Sequence, residues 1–176
     1  MEIRKVLRMT LVTAALASLI LFAATGNNSF AQNEKYRAKM DGNNEVPPVN
    51  TTADGVINLK TKGEALSWKM NITGITDATG AHIHSGKNGT NGEVIVDLLK
   101  GSKSSSSPSG MVLRGNITDS SLTGSMKGKT IADLKAAMAN GDTYANVHTK
   151  SHPKGEIRGQ IHLKGENATS LATTNQ

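Results

Sequence analysis

Residues 66–73 decide what kind of fold this chain can reach: Leu66, Trp68, Met70 and Ile72 alternate without a slip with Ser67, Lys69, Asn71 and Thr73. A period of two sends the apolar side chains to one face of a pleated strand and the polar ones to the other, which no helix does. Trp68 is then a core anchor. The same grammar recurs at Tyr36, Ala38 and Met40, which alternate with Arg37, Lys39 and Asp41. That run ends at Glu45-Val46-Pro47-Pro48, because proline has no amide hydrogen to give to a ladder. Further runs at 55–61, 80–85, 93–99, 111–118, 143–149 and 156–163 are separated by Gly, Asn, Asp and Pro. About eight strands at that spacing predict an all-β, antiparallel sandwich or barrel. Ile57, Leu59, Val147 and Ile157 join Leu66, Trp68 and Met70 in its expected core. With aromatic residues only 3% of the chain, aliphatic side chains and methionine must supply the rest of it.

One helix interrupts the strands. Thr130 is placed to cap it, Asp133 sits at capping-box spacing, Ile131, Leu134 and Met138 form the apolar stripe, and Gly141 offers the left-handed stop, so a short helix over about 131–140 is expected. The serine-rich stretch between Gly101 and Gly110 has nothing to bury and reads as a mobile surface loop, while the Gly- and Asn-rich residues 85–92 read as a hairpin loop.

The first 31 residues read as a signal peptide. Arg4, Lys5 and Arg8 precede an uncharged apolar run, and Ser29-Phe30-Ala31 provides the small residues of a cleavage site, so cleavage after Ala31 is expected. If uncleaved, this leader is the chain's only expected membrane contact, although the uncharged stretch 9–25 is shorter than the roughly 20 residues a spanning helix needs. The expected organisation is a signal peptide at 1–31, a β domain at 32–163 and a flexible tail at 164–176, the mature chain being secreted or held at the cell surface. It contains no cysteine, hence no disulfide and no thiolate ligand or nucleophile. Of the Asn-x-Ser/Thr triplets, those at Asn50, Asn88 and Asn167 lie in turn or tail sequence and are the better glycan acceptors, whereas Asn71 and Asn116 fall in strands. The mature chain keeps 17 basic and 13 acidic side chains, a net charge of +4. Along the sequence these charges are scattered, and almost no aromatic residue is present to stack on a base, so nucleic acid is not an expected partner.

Three blocks then carry a resemblance. Asn44-Glu45-Val46-Pro47-Pro48, Ala81-His82-Ile83-His84, and Tyr144-Ala145-Asn146-Val147-His148-Thr149 followed by Pro153-Lys154-Gly155-Glu156-Ile157-Arg158-Gly159-Gln160 look like the signature blocks of the CHRD (chordin-type) domain, in the same order. The likeness covers roughly 36–163. It implies an extracellular module with an immunoglobulin-like or Greek-key β fold, found alone in microbial proteins, with no established catalytic activity and with an extracellular ligand or protein as its partner. Growth-factor binding is not implied, because the cysteine-rich neighbours of the animal protein are missing.

Within those blocks the chemistry rests on histidine. His82 and His84 are two apart on a strand and project from one face, and a third imidazole from His148 would complete a transition-metal site for copper or zinc. A His-x-His strand in an exported Greek-key protein also looks like the copper-ligand strand of Cu/Zn superoxide dismutases, without the second ligand cluster or the disulfide. The alternative is that these are hydrogen-bonded structural imidazoles. Tyr144 and Asn146 share a face with His148, as Arg158 and Gln160 do with Glu156; Asn146 or Glu156 is placed to orient a ring from behind, and Glu156 and Arg158 otherwise read as a same-face ion pair or solvated charges. No nucleophile elbow, phosphate-binding loop or dinucleotide fingerprint occurs, so no catalytic residue and no organic cofactor are assigned. Two functions follow: a non-catalytic exported binding or structural module, or a metal-binding, potentially redox-active protein built on His82, His84 and His148.

Overall fold

The sheet grows from the 66–72 alternation. Residues 54–62 and 65–73 form a hairpin of β2 (Asp54–Lys62) and β3 (Ala65–Thr73), whose register runs unbroken from Asp54↔Thr73 to Lys62↔Ala65. That pairing puts Ile57 opposite Met70 and Leu59 opposite Trp68 on the inner face, all of them buried. The computed structural model describes residues 34–164; the signal peptide with its cleavage after Ala31, the acceptor Asn167 and all but the first residue of the 164–176 tail lie outside them.

The remaining elements are β1 (Lys35–Asp41), β4 (Gly80–Ser85), β5 (Val94–Asp97), β6 (Lys103–Ser107), β7 (Gly110–Ile117), α1 (Ile131–Ala139), β8 (Thr143–His148), β9 (Ile157–Gln160) and β10 (His162–Leu163). They make one antiparallel sheet in the order β5-β4-β8-β9-β1-β2-β3-β7-β6, with β10 pairing β1 alongside β9. The sheet curls. Beyond β7 the chain reaches back to the opposite edge, where Leu122 bridges Val96 and the Thr123 amide donates to Ile95 O at 2.9 Å. Enclosed by the curl is a single cluster that includes Tyr36, Leu66, Ile83, Ile95, Leu113, Val147 and Ile157. The expected all-β class and the expected core therefore stand.

Two expectations change. The serine-rich stretch is not a loose loop: residues 103–107 form β6, fully exposed, paired with β7 from Lys103↔Arg114 to Ser107↔Gly110. An edge strand satisfies its backbone through one ladder and needs no buried side chain, so absent hydrophobicity did not forbid it. The last run also divides at Ile161, whose amide still donates to Thr143 O of β8 at 3.0 Å, while His162 and Leu163 beyond it pair with β1 as β10. With these changes the described residues hold ten strands rather than about eight. The helix keeps its expected caps: Thr130 Oγ1 accepts from the Asp133 amide, the Asp133 carboxylate accepts from the Thr130 amide at 2.8 Å, and Gly141 has φ 70°. No helix among the described residues is long and apolar enough to cross a membrane.

Candidate metal centre

β4, β8 and β9 lie side by side, and their registers fix which side chains can meet. Gly80 faces His148, His82 faces Asn146, His84 faces Tyr144, and beyond them Asn146 faces Arg158 and Tyr144 faces Gln160. The alternate residues Ala81, Ile83, Ala145, Val147 and Ile157 go to the core, so every polar side chain just named lies on the opposite face. There His82, His84 and His148 converge. One ring nitrogen from each lies within 4.8 Å of the others. Ring centroids are 4.8 Å apart for His82 and His148, 5.6 Å for His82 and His84, and 6.0 Å for His84 and His148.

Hydrogen bonding decides which nitrogens are free. Nδ1 of His84 lies 3.0 Å from Gly92 O, and Nδ1 of His148 lies 3.1 Å from Pro153 O. A carbonyl can only accept, so both Nδ1 atoms carry the hydrogen and both Nε2 atoms present a lone pair. Those two Nε2 atoms, together with Nδ1 of His82, are buried and have no hydrogen-bond partner. Leaving one buried nitrogen unpaired costs about 1–3 kcal/mol, and three such groups brought together is the arrangement an ion would satisfy.

Electrostatics keeps the rings in the ligating form. Burial lowers the pKa of all three, with the neighbouring imidazoles adding repulsion at His84 and His148, and His84 is pushed down to about 4. Metal needs neutral imidazole, and at neutral pH the site supplies it. Around a tetrahedral ion, ligand nitrogens 2.0–2.1 Å from the metal sit about 3.4 Å apart. Closure from the observed spacing asks for shifts of about 1.5 Å, within reach of side-chain torsions.

Room for the rings comes from Gly80, a residue that the sequence pattern does not flag. A Cβ there would lie 2.9 Å from His82 Cε1 and 3.2 Å from His148 Cδ2. Support comes from Tyr144, which stacks on His84 with centroids 4.9 Å apart and 7° between planes. The Arg158 guanidinium lies over the Tyr144 ring at 3.4 Å. Arg158 is 1% exposed and donates to Asn91 Oδ1, Lys87 O and Thr90 O, clasping the 86–92 loop. Because Gly92 in that loop holds His84 through its carbonyl and donates its own amide to Tyr144 Oη at 3.2 Å, the clasp orients the ligand.

The roles expected for the neighbouring polar residues are redistributed. Neither Asn146 nor Glu156 backs a ring of the trio; the Gly92 and Pro153 carbonyls do. Asn146 Nδ2 instead donates to Glu45 Oε1 at 2.6 Å. Glu156 accepts from Thr51 at 2.8 Å and Thr149 at 2.6 Å, and lies 3.2 Å from the ring of His152. Burial raises its pKa, but those partners outweigh burial and hold it below the usual range. Glu156 and Arg158 are therefore neither an ion pair nor solvated.

The chain matches the CHRD domain family model over residues 36–161. It belongs to the CHRD domain family. No curated protein and no solved structure matches the chain. The CHRD domain is an extracellular-type β module, and this one folds its signature blocks onto a single region. Glu45 of the first block binds Asn146 of the third, while the His84 ring of the second packs on Tyr144 of the third.

Proposed function

We propose that this CHRD domain is an exported, non-catalytic binding module whose ligand is a transition-metal ion, copper or zinc, held by His82, His84 and His148. The observation that carries the reading is that three histidines converging on β4 and β8 each hold a buried, unpartnered ring nitrogen. All-imidazole donors suit zinc and copper and offer little to magnesium or calcium, which prefer oxygen. The carbonyls behind His84 and His148 fix tautomer and ring orientation, as backing groups do in metal sites. Binding rather than turnover is favoured because Glu156, the carboxylate of the C-terminal signature block, is committed to Thr51, Thr149 and His152. Export accords with the charged, apolar and small-residue order of the leader.

Titrating tag-free protein with zinc(II) and copper(II) tests the proposal. The His84→Ala/His148→Ala variant is expected to lose more affinity than the roughly 10- to 100-fold that removing a mere backing group costs. Equal affinities for the two proteins would overturn it. Unfolding midpoints of both, measured without metal, separate a lost ligand from a lost fold.

A further inference from the structure

Charges that look scattered along the sequence are gathered by the sheet register. Across the outer face of β1, β2, β3, β7 and β6 runs one row of Cα partners: Arg37, Asn58, Lys69, Arg114 and Lys103. Strands lie about 4.8 Å apart, so this row spans about 19 Å and carries a cation on four of its five strands. The next row places Lys35 beside Lys60, Ser67 and Asn116, and the row on the other side begins at Lys39 and continues through Asn71. All of these cations are exposed, and none forms an ion pair among the described residues. Acidic side chains keep to the ends of the face: Asp41 pairs with Asp54 at one, and Glu64 lies in the turn after Lys62 at the other. Lys35, Lys60, Lys69 and Lys164, with Asn58 and Ser67, also line a shallow cleft in the face.

We infer that this face is a binding surface for an acidic polysaccharide, a glycan bearing uronate or sulfate groups. Unscreened cations this dense attract a polyanion, and the chemistry between them selects among polyanions. Asn58, Asn71, Asn116 and Ser67 intersperse the rows with amides and a hydroxyl, which both donate to and accept from sugar hydroxyls. Single-stranded nucleic acid asks for exposed aromatic rings, and Tyr36, Trp68 and Tyr144 are all buried. A lipid surface asks for apolar side chains to insert, and the outward apolar positions here, Val56 and Val112, are half-buried within the face. The surface lies on strands away from β4 and β8, so it stands whether or not the histidines bind metal.

Binding of the full chain to dextran sulfate, polygalacturonate, neutral dextran, duplex DNA and phosphatidylglycerol vesicles, at two salt concentrations, tests the inference. Both acidic glycans are expected to bind, dextran is not, and raising the salt should weaken the interaction. A Lys69→Glu/Arg114→Glu variant should lose at least tenfold in affinity, while Lys127→Glu/Lys129→Glu, the same charge change off this face, retains it. Unfolding midpoints establish that both variants are folded. Equal losses in the two variants would reduce the effect to net charge and overturn the inference. So would tighter binding to DNA or vesicles than to the acidic glycans, or wild-type affinity in the Lys69/Arg114 variant.

Discussion

Replacing Trp68 by alanine is expected to destabilise the domain by about 3 to 5 kcal/mol, read as a lowered denaturant midpoint with an unchanged slope. Trp68 is 5% exposed and is the largest side chain of the inner face. Its register partners are Leu59 on β2 and Gly115 on β7. The glycine is there for the indole: a Cβ at position 115 would lie 3.0 Å from Trp68 Cζ2 and Nε1. A wall built to that fit relaxes poorly around a cavity, which puts the cost at the upper end of the range for a buried side chain. Lys69, one residue on and facing outward, serves as the control, since Lys69→Ala should change stability by less than about 0.5 kcal/mol. A midpoint for Trp68→Ala that matches wild type would contradict the facing assigned to β3 and with it the sheet's inner surface.

That facing was legible because β3 obeys the period of two, and so do Tyr36, Ala38 and Met40 on β1. The helix was legible for a different reason, its caps being local chemistry that Thr130, Asp133 and Gly141 advertise within a dozen residues. β6 was not, because a strand held only by its ladder with β7 leaves no hydrophobic trace. The histidine trio was half legible. That His82 and His84 share a face follows from their spacing alone, but that His148 joins them depends on β8 pairing β4 with Gly80 opposite His148, a long-range register that no local pattern encodes. The backing groups were invisible for a further reason: Gly92 and Pro153 act through main-chain carbonyls, and a carbonyl has no residue type. Arg158 was misjudged because a buried arginine is rare, and what permits this one is a loop whose carbonyls and Asn91 satisfy its guanidinium. The cationic face escaped notice on the same ground as His148, since Lys69, Arg114 and Lys103 become neighbours only across strands.

Glu45 is expected to make the domain less stable as pH rises from about 4.5 to about 7, opposite to the trend that most carboxylates impose. It is 6% exposed, and burial pushes its pKa up to about 7 against the opposing pull of the Asn146 hydrogen bond and the charges of Arg158 and His152. Gly155, at φ 130°, allows the close approach, for a Cβ there would lie 2.7 Å from one Glu45 oxygen and 2.9 Å from the other. Folded, the group keeps its proton to about pH 7, whereas in the unfolded chain it loses the proton near 4.5. Its contribution is therefore full below about 4.5 and is lost as pH climbs through 7, a change of at most about 3 kcal/mol. The histidines act with the other sign. His82, His84 and His148 are held neutral in the fold, so acid below their ordinary pKa of 6.5 draws protons to the unfolded chain and destabilises the domain. Wild type alone would thus show two opposing slopes in the same range. Glu45→Gln removes only one of them: the stability difference between wild type and this variant should shift by up to about 3 kcal/mol between pH 4.5 and 8, in favour of the variant at high pH. A difference that stays constant across that range would mean that Glu45 ionises as freely in the fold as out of it. The carboxylate that accepts from Asn146, the register partner of His82, would then be charged at neutral pH, and that hydrogen bond would be one to an anion.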